Sequence, residues 1–201
     1  MLIDARDGTI KTLPPFLNFV QFVTFFPQLI AGPIVLFKEV REQIEALQKN
    51  QFDGLNVFGP GLAIFSFGLF KKVCLADTIA PFADLAFNSH QIISTLEAWA
   101  GSVAYSLQLY FDFSGYSDMA VGLGLMFGVR LPFNFDTPFR ARNMTNFWKS
   151  WHITMTRFFM LYGYSPIALR LGRFAQFNLK NVFLIFFLTV LTPTIFTFLL
   201  S

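Results

Sequence analysis

A chain of 201 residues with 54% apolar side chains, 13% charged ones and 29 phenylalanines cannot cover its surface with polar groups. That excludes an ordinary soluble enzyme and a disordered tail, and the single Cys74 excludes a disulfide scaffold. The net charge of +3 is unevenly placed: seven basic and no acidic residues follow Asp136, so that stretch carries +7 and the part before it −4.

Met1–Lys11 has no apolar core and is not a secretory signal. Pro14–Phe37 is apolar but interrupted by Pro27 and by Gly32-Pro33, which predicts a broken helix. Lys38–Asn50 places Val40, Ile44 and Leu47 on one side, the pattern of an interfacial or loop helix. Leu55–Phe70 reads as a span anchored by Lys71 and Lys72, continued by Val73–Phe87 with Asp77 and Asp84 near an interface. Trp99–Phe111 and Tyr116–Val129 read as two further spans or half-spans, split at Asp112–Ser114–Gly115. Leu131–Phe139 contains two prolines and reads as a loop, and Ala141–Leu161 as one amphipathic helix. Val182–Leu200 is uncharged and meets the roughly 20-residue length of a span, with a kink at Pro193. The fold class is therefore all-α, a multi-span transmembrane helical bundle with broken and interfacial helices. Basic short loops stay cytoplasmic, which places 138–180 at least partly on that side. A second reading, in which these charges are topology signals and nothing more, stays open. Nucleic acid is not an expected partner, because its basic, aromatic-interleaved patches belong on soluble faces.

Three polar groupings stand out. Gln28 sits where the first helix loosens, so its amide and the freed carbonyls could line a passage; a plain structural kink is the other reading. Asp112 and Asp118 lie among apolar residues, where each charge costs about 3 kcal/mol on insertion scales. Asp118 is equally readable as an interfacial cap. Gly122, Gly124 and Gly128 follow, and the Gly124–Gly128 spacing is that of close helix packing. The third grouping runs from Asn143 to His152. On one continuous helix Trp148, His152, Met155/Thr156 and Phe159 share a face, and Lys149, Ile153 and Arg157 share another. His90 follows Asn88-Ser89 in an expected loop, whereas His152 lies among aromatics. His152 is either a hydrogen-bonded structural residue or an acid–base group tuned by its site. No set of ligands has metal spacing.

The segments Phe25–Val35 (FFPQLIAGPIV), Leu109–Gly128 (LYFDFSGYSDMAVGLGLMFG), Leu131–Phe139 (LPFNFDTPF) and Asn146–Phe159 (NFWKSWHITMTRFF) resemble, in order, the membrane-bound O-acyltransferase family. Within it the chain is similar to the membrane subunit of bacterial alginate O-acetylation, itself akin to the transferase of teichoic acid D-alanylation. The resemblance implies a multi-pass protein of the bacterial inner membrane with a tunnel among its helices. It implies an acyl group, acetyl in this branch, passed from a donor on the cytoplasmic side to a polysaccharide hydroxyl, alginate or a similar exopolysaccharide. His152, in the Trp151–His152 pair, falls on the family's first motif histidine and is the catalytic candidate present in this chain, where it could position donor or acceptor. Asp112 and Asp118 fall on its tyrosine–aspartate segment. Gln28, Asp112, Asp118, Asn143, Asn146, Trp148 and Trp151 are the expected substrate-binding or tunnel-lining residues. No cofactor is expected to stay bound, the acyl donor has no assigned identity, and membrane lipid and other polysaccharide-acetylation subunits are the expected partners.

Two departures stand beside the resemblance. Lys149 and Ser150 occupy the positions of two family arginines, which weakens any bidentate grip on an anion. The family's second histidine, in a Gly-x-Trp-His-Gly motif and by the resemblance the main catalytic candidate, is absent. The run Pro193–Ser201 looks like the approach to that motif, so the expectation is one partial acyltransferase domain over 1–201, truncated at both ends and inactive as a fragment. A second alignment sets Pro193 at the histidine and implies a degenerate site. Two other classes therefore stay open: a channel or transporter, from the broken helix and Asp112, and a non-catalytic scaffold, from the missing histidine.

Overall fold

The computed structural model describes residues 15–29, 32–48, 54–87 and 94–166, and all of its regular elements there are helical. The expected span at Val182–Leu200, the loop around His90 and the basic residues from Arg170 onward lie outside the described residues. The chain divides into two compact units, Met1–Pro132 and Phe133–Ser201.

The first unit opens with α1 (Phe16–Thr24), which ends where Pro27 enters a 3-10 turn at Phe26–Gln28. Residues 33–36 have no regular structure and lead into α2 (Phe37–Gln48). The broken helix is thus present, and its tightest point is Gly32: a Cβ there would lie 2.1 Å from the Pro27 carbonyl oxygen. Val40 and Ile44 of α2 are buried with Val35, Val121, Val129 and Leu131, and Leu47 packs against them, as their spacing predicts. Gln43 fixes α2 to the loop beyond the long helix, accepting the Arg130 N–H at 2.8 Å.

The rest of the unit is a long helical hairpin. Its first arm joins α3 (Gly54–Phe70), a π-helical turn (Lys71–Ala76) and α4 (Asp77–Phe87). Its second arm is α5 (Thr95–Met126), started by a capping box in which Ser94 and Glu97 satisfy each other's backbone N–H groups. The two spans expected here are one uninterrupted helix. Gly115 does not break it, because the glycine lies where α3 approaches: a Cβ on Gly68 would meet the Gly115 carbonyl oxygen at 2.6 Å, and one on Gly115 the Gly68 oxygen at 2.7 Å. Gly61 and Gly122 repeat this contact seven residues away on each helix. Small residues at this spacing let two backbones touch. The glycines of α5 at its contact with α3 are therefore 115 and 122. Gly124 instead meets Val129 and Leu131, and Gly128 takes φ 84° just past the helix end. Among the described residues no helix is long and apolar enough to cross a membrane.

In the second unit, an irregular stretch from Phe133 leads through a 3-10 turn (Pro138–Arg140) to α6 (Met144–Ser150), α7 (Ile153–Phe159) and a π-helical turn (Met160–Tyr164). The single helix expected over Ala141–Leu161 is thus broken. Trp151 is extended and His152 lies in the left-handed region, φ 43° and ψ 57°. The shared faces drawn through His152 on a continuous helix do not exist, although the Thr156 hydroxyl still reaches the Trp148 carbonyl at 3.3 Å across the break.

Candidate functional site

Asn143 starts α6 as its N-cap, its Oδ1 accepting the Asn146 N–H at 2.8 Å. The helix lasts seven residues and ends with the Trp151 N–H bonded to the Phe147 carbonyl at 2.9 Å. Beyond it the chain is held by the preceding irregular stretch. The Asp136 N–H donates to the Ser150 carbonyl at 3.0 Å and the Ile153 N–H to the Asn134 carbonyl at 2.8 Å. Asn134 Oδ1 also accepts the Thr154 hydroxyl at 2.6 Å and the Thr154 N–H at 3.4 Å.

Aromatic rings wall this turn. Trp151 is buried, with its ring parallel to Phe147 at 5.7 Å and edge-on to Phe135 at 5.1 Å. Phe135 also lies parallel to the His152 imidazole at 6.4 Å. Trp148 stands edge-on to Phe147 at 5.5 Å and is half-buried. His152 is 4% exposed, and burial lowers its imidazole pKa from 6.5 to about 4. It lies in a turn between two seven-residue helices, neither of them a span. At neutral pH the ring is uncharged, able to donate through one nitrogen and accept through the other. Asn143 and Asn146 are exposed: Asn143 serves as a cap, and the Asn146 carbonyl accepts the Ser150 hydroxyl.

The two carboxylates belong to the first unit, and both are paired. Lys71 Nζ lies 2.6 Å from Asp118 and Lys72 Nζ 2.7 Å from Asp112, with Asp77 a second partner of Lys72 at 2.9 Å. Asp118 stands well inside α5, so it is not a cap. Lys71 and Lys72, read from sequence as an anchor, lie in the π-helical turn and pair with carboxylates of α5. Near them, the fully buried Ser114 and Ser117 hydroxyls have no hydrogen-bond partner among the described residues.

Gln28 occupies a third place. Its Nε2 donates to the Phe22 carbonyl, and its buried Oε1 has no partner among the described residues. It lines a cavity of about 430 Å³ with Phe22, Phe25, Val40, Ile44 and Phe127, and neither Asp112 nor Asp118 lines it. Of the residues singled out from sequence, then, the structure groups Trp148, Trp151 and His152, pairs Asp112 and Asp118 with lysines, and sets Gln28 in its own cavity. Sequence reasoning did not single out Asn134, which holds the residues after His152; its only signal was its place inside the Leu131–Phe139 motif.

The profile of the membrane-bound O-acyltransferase family matches residues 7–190. The chain is 50% identical over 157 residues to a peptidoglycan O-acetyltransferase of Helicobacter pylori, covering 78% of this chain and 30% of that protein. It is 42% identical over 184 residues to a probable alginate O-acetylase of Pseudomonas putida, covering 91% and 36%. It is 30% identical over 188 residues to a teichoic acid D-alanyltransferase of Streptococcus thermophilus, covering 90% and 44%. The chain thus spans 30–44% of the length of these curated relatives.

Proposed function

Because the chain belongs to the membrane-bound O-acyltransferase family, we propose that the protein carrying it moves an acyl group from a donor on the cytoplasmic side to a polysaccharide hydroxyl. The buried His152 turn, walled by Phe135 and Trp151, is the observation that carries this reading. In the reaction the acceptor hydroxyl attacks the acyl carbonyl, a C–O bond forms, the bond to the donor breaks, and the hydroxyl proton passes by way of the imidazole to the departing donor group. A neutral imidazole orients that hydroxyl by accepting its hydrogen bond. With a pKa held low, the ring holds the proton only in passing. The aromatic walls exclude water and strengthen every hydrogen bond at the reacting carbonyl.

Acetyl is the acyl group that the names of two relatives favour, and a peptidoglycan or alginate-type polysaccharide is the acceptor they suggest. We place the protein in the bacterial inner membrane as a multi-pass bundle. The hairpin supports this: Phe82, Leu85, Leu96 and Trp99 are 67–80% exposed, and Asp112 and Asp118 are already neutralised by lysines. Paired carboxylates give less support to an ion channel, which needs charge free to meet an ion.

The test is complementation in a strain lacking its own transferase. The protein carrying this sequence should stay in carbonate-washed membranes and restore ester-linked acyl groups on the polysaccharide. Membrane retention without acylation would favour a channel or a scaffold.

A further inference from the structure

His152 adopts a left-handed conformation that residues with a β-carbon disfavour, and its own side chain does not cap α7. The cap comes from elsewhere. Asn134 is fully buried, and it holds both residues that follow His152: Ile153 through its main-chain carbonyl, Thr154 through Oδ1. The Oδ1 bond to the Thr154 N–H is the one a residue at position 152 would make in an ordinary N-cap. With that bond supplied by Asn134, the imidazole is released from capping. Asparagine suits the place chemically: it is a neutral acceptor of the right reach, where a buried carboxylate would carry the cost of an isolated charge.

We infer that Asn134 is a positioning residue for His152, holding the left-handed turn that presents the imidazole. This rests on the assignment of His152 to the acyl-transfer site. Asn134 acts through Ile153 and Thr154, so Thr154 belongs to the same device.

The test uses Asn134→Ala, Thr154→Val and Thr154→Ser in the protein carrying this sequence, reconstituted in lipid with isotope-labelled histidine. His152→Gln identifies the His152 resonances by their loss. Asn134→Ala and Thr154→Val should shift the His152 Cα and Cβ signals away from left-handed values and bring the imidazole titration closer to that of free histidine; Thr154→Ser should preserve both. In acyl transfer, Asn134→Ala should lower kcat by about 10- to 100-fold with little change in KM, the scale of a displaced catalytic group. Thr154→Val is nearly isosteric and carries the test should Asn134→Ala fail to fold. Unmoved His152 signals in folded Asn134→Ala or Thr154→Val protein would overturn the inference. If the signals move as expected while His152→Gln keeps full transfer, the positioning stands and the acyl-transfer reading falls.

Discussion

At His152, burial has a consequence for pH. Its pKa is about 4 in the fold and 6.5 in the unfolded chain, so above pH 6.5 both states hold a neutral ring and the residue adds no pH dependence. As the pH falls from 6.5 towards 4 the unfolded state takes the proton first, and stability drops by up to about 1.4 kcal/mol per pH unit. The stability the neutral ring contributes is thus intact above 6.5 and lost as the pH passes down through 4. Unfolding of the detergent-solubilised protein should be easier at pH 4.5 than at pH 7, and His152→Gln should flatten that difference; equal slopes for both proteins would refute a buried neutral ring. The backbone at the same residue makes a second prediction. In a continuous helix Ala is better than Gly by roughly 1 kcal/mol, whereas a left-handed residue reverses the order. His152→Gly should therefore resist denaturant better than His152→Ala, and the opposite ranking would restore the unbroken helix. That helix was the natural sequence reading, because nothing between Ala141 and Leu161 is a proline and Gly163 lies beyond it. The break is specified by Asn134, a distant residue whose amide and carbonyl no local pattern reveals.

Among the elements, the α3–α5 contact is set by glycine rather than by large apolar side chains. Gly68→Ala would place a methyl 2.6 Å from the Gly115 carbonyl oxygen, where backbone and not a flexible side chain must move. It should destabilise by roughly 1–3 kcal/mol, as overpacking does. Gly59→Ala, also within α3 but with nothing within 4 Å of its Cβ, should be neutral or stabilising by up to about 1 kcal/mol. Denaturation of the two variants side by side checks the pair; equal effects would mean that the helices are not in this register. The same contact explains which elements were readable. Pro27 and Pro33 act on their own turn, and Val40, Ile44 and Leu47 declare their face by spacing, so the broken α1–α2 region and α2 were legible. Asp112, Ser114 and Gly115 looked like a break because their answers lie on another helix: Lys72 for the charge, Gly68 for the missing side chain. The π-helical turn that brings Lys71 and Lys72 to α5 has no sequence signature.

For the molecule as a whole, family membership was legible from four ordered motifs, and the profile match over residues 7–190 agrees with it. Among the residues singled out, Asp112 and Asp118 are paired with lysines and Asn143 caps a helix, so the proposed acyl-transfer role is tested at the buried His152. The claim that His152 serves acyl transfer is met most directly by a rate. Labelled acyl donor is supplied to the cytoplasmic face of vesicles holding the protein that carries this sequence, and ester formation on the acceptor polysaccharide is timed for wild type and His152→Ala. A loss of about 10²-fold or more, the scale of a positioned acid–base group, is the predicted result; a rate within about threefold of wild type would make His152 a packing residue and contradict the account.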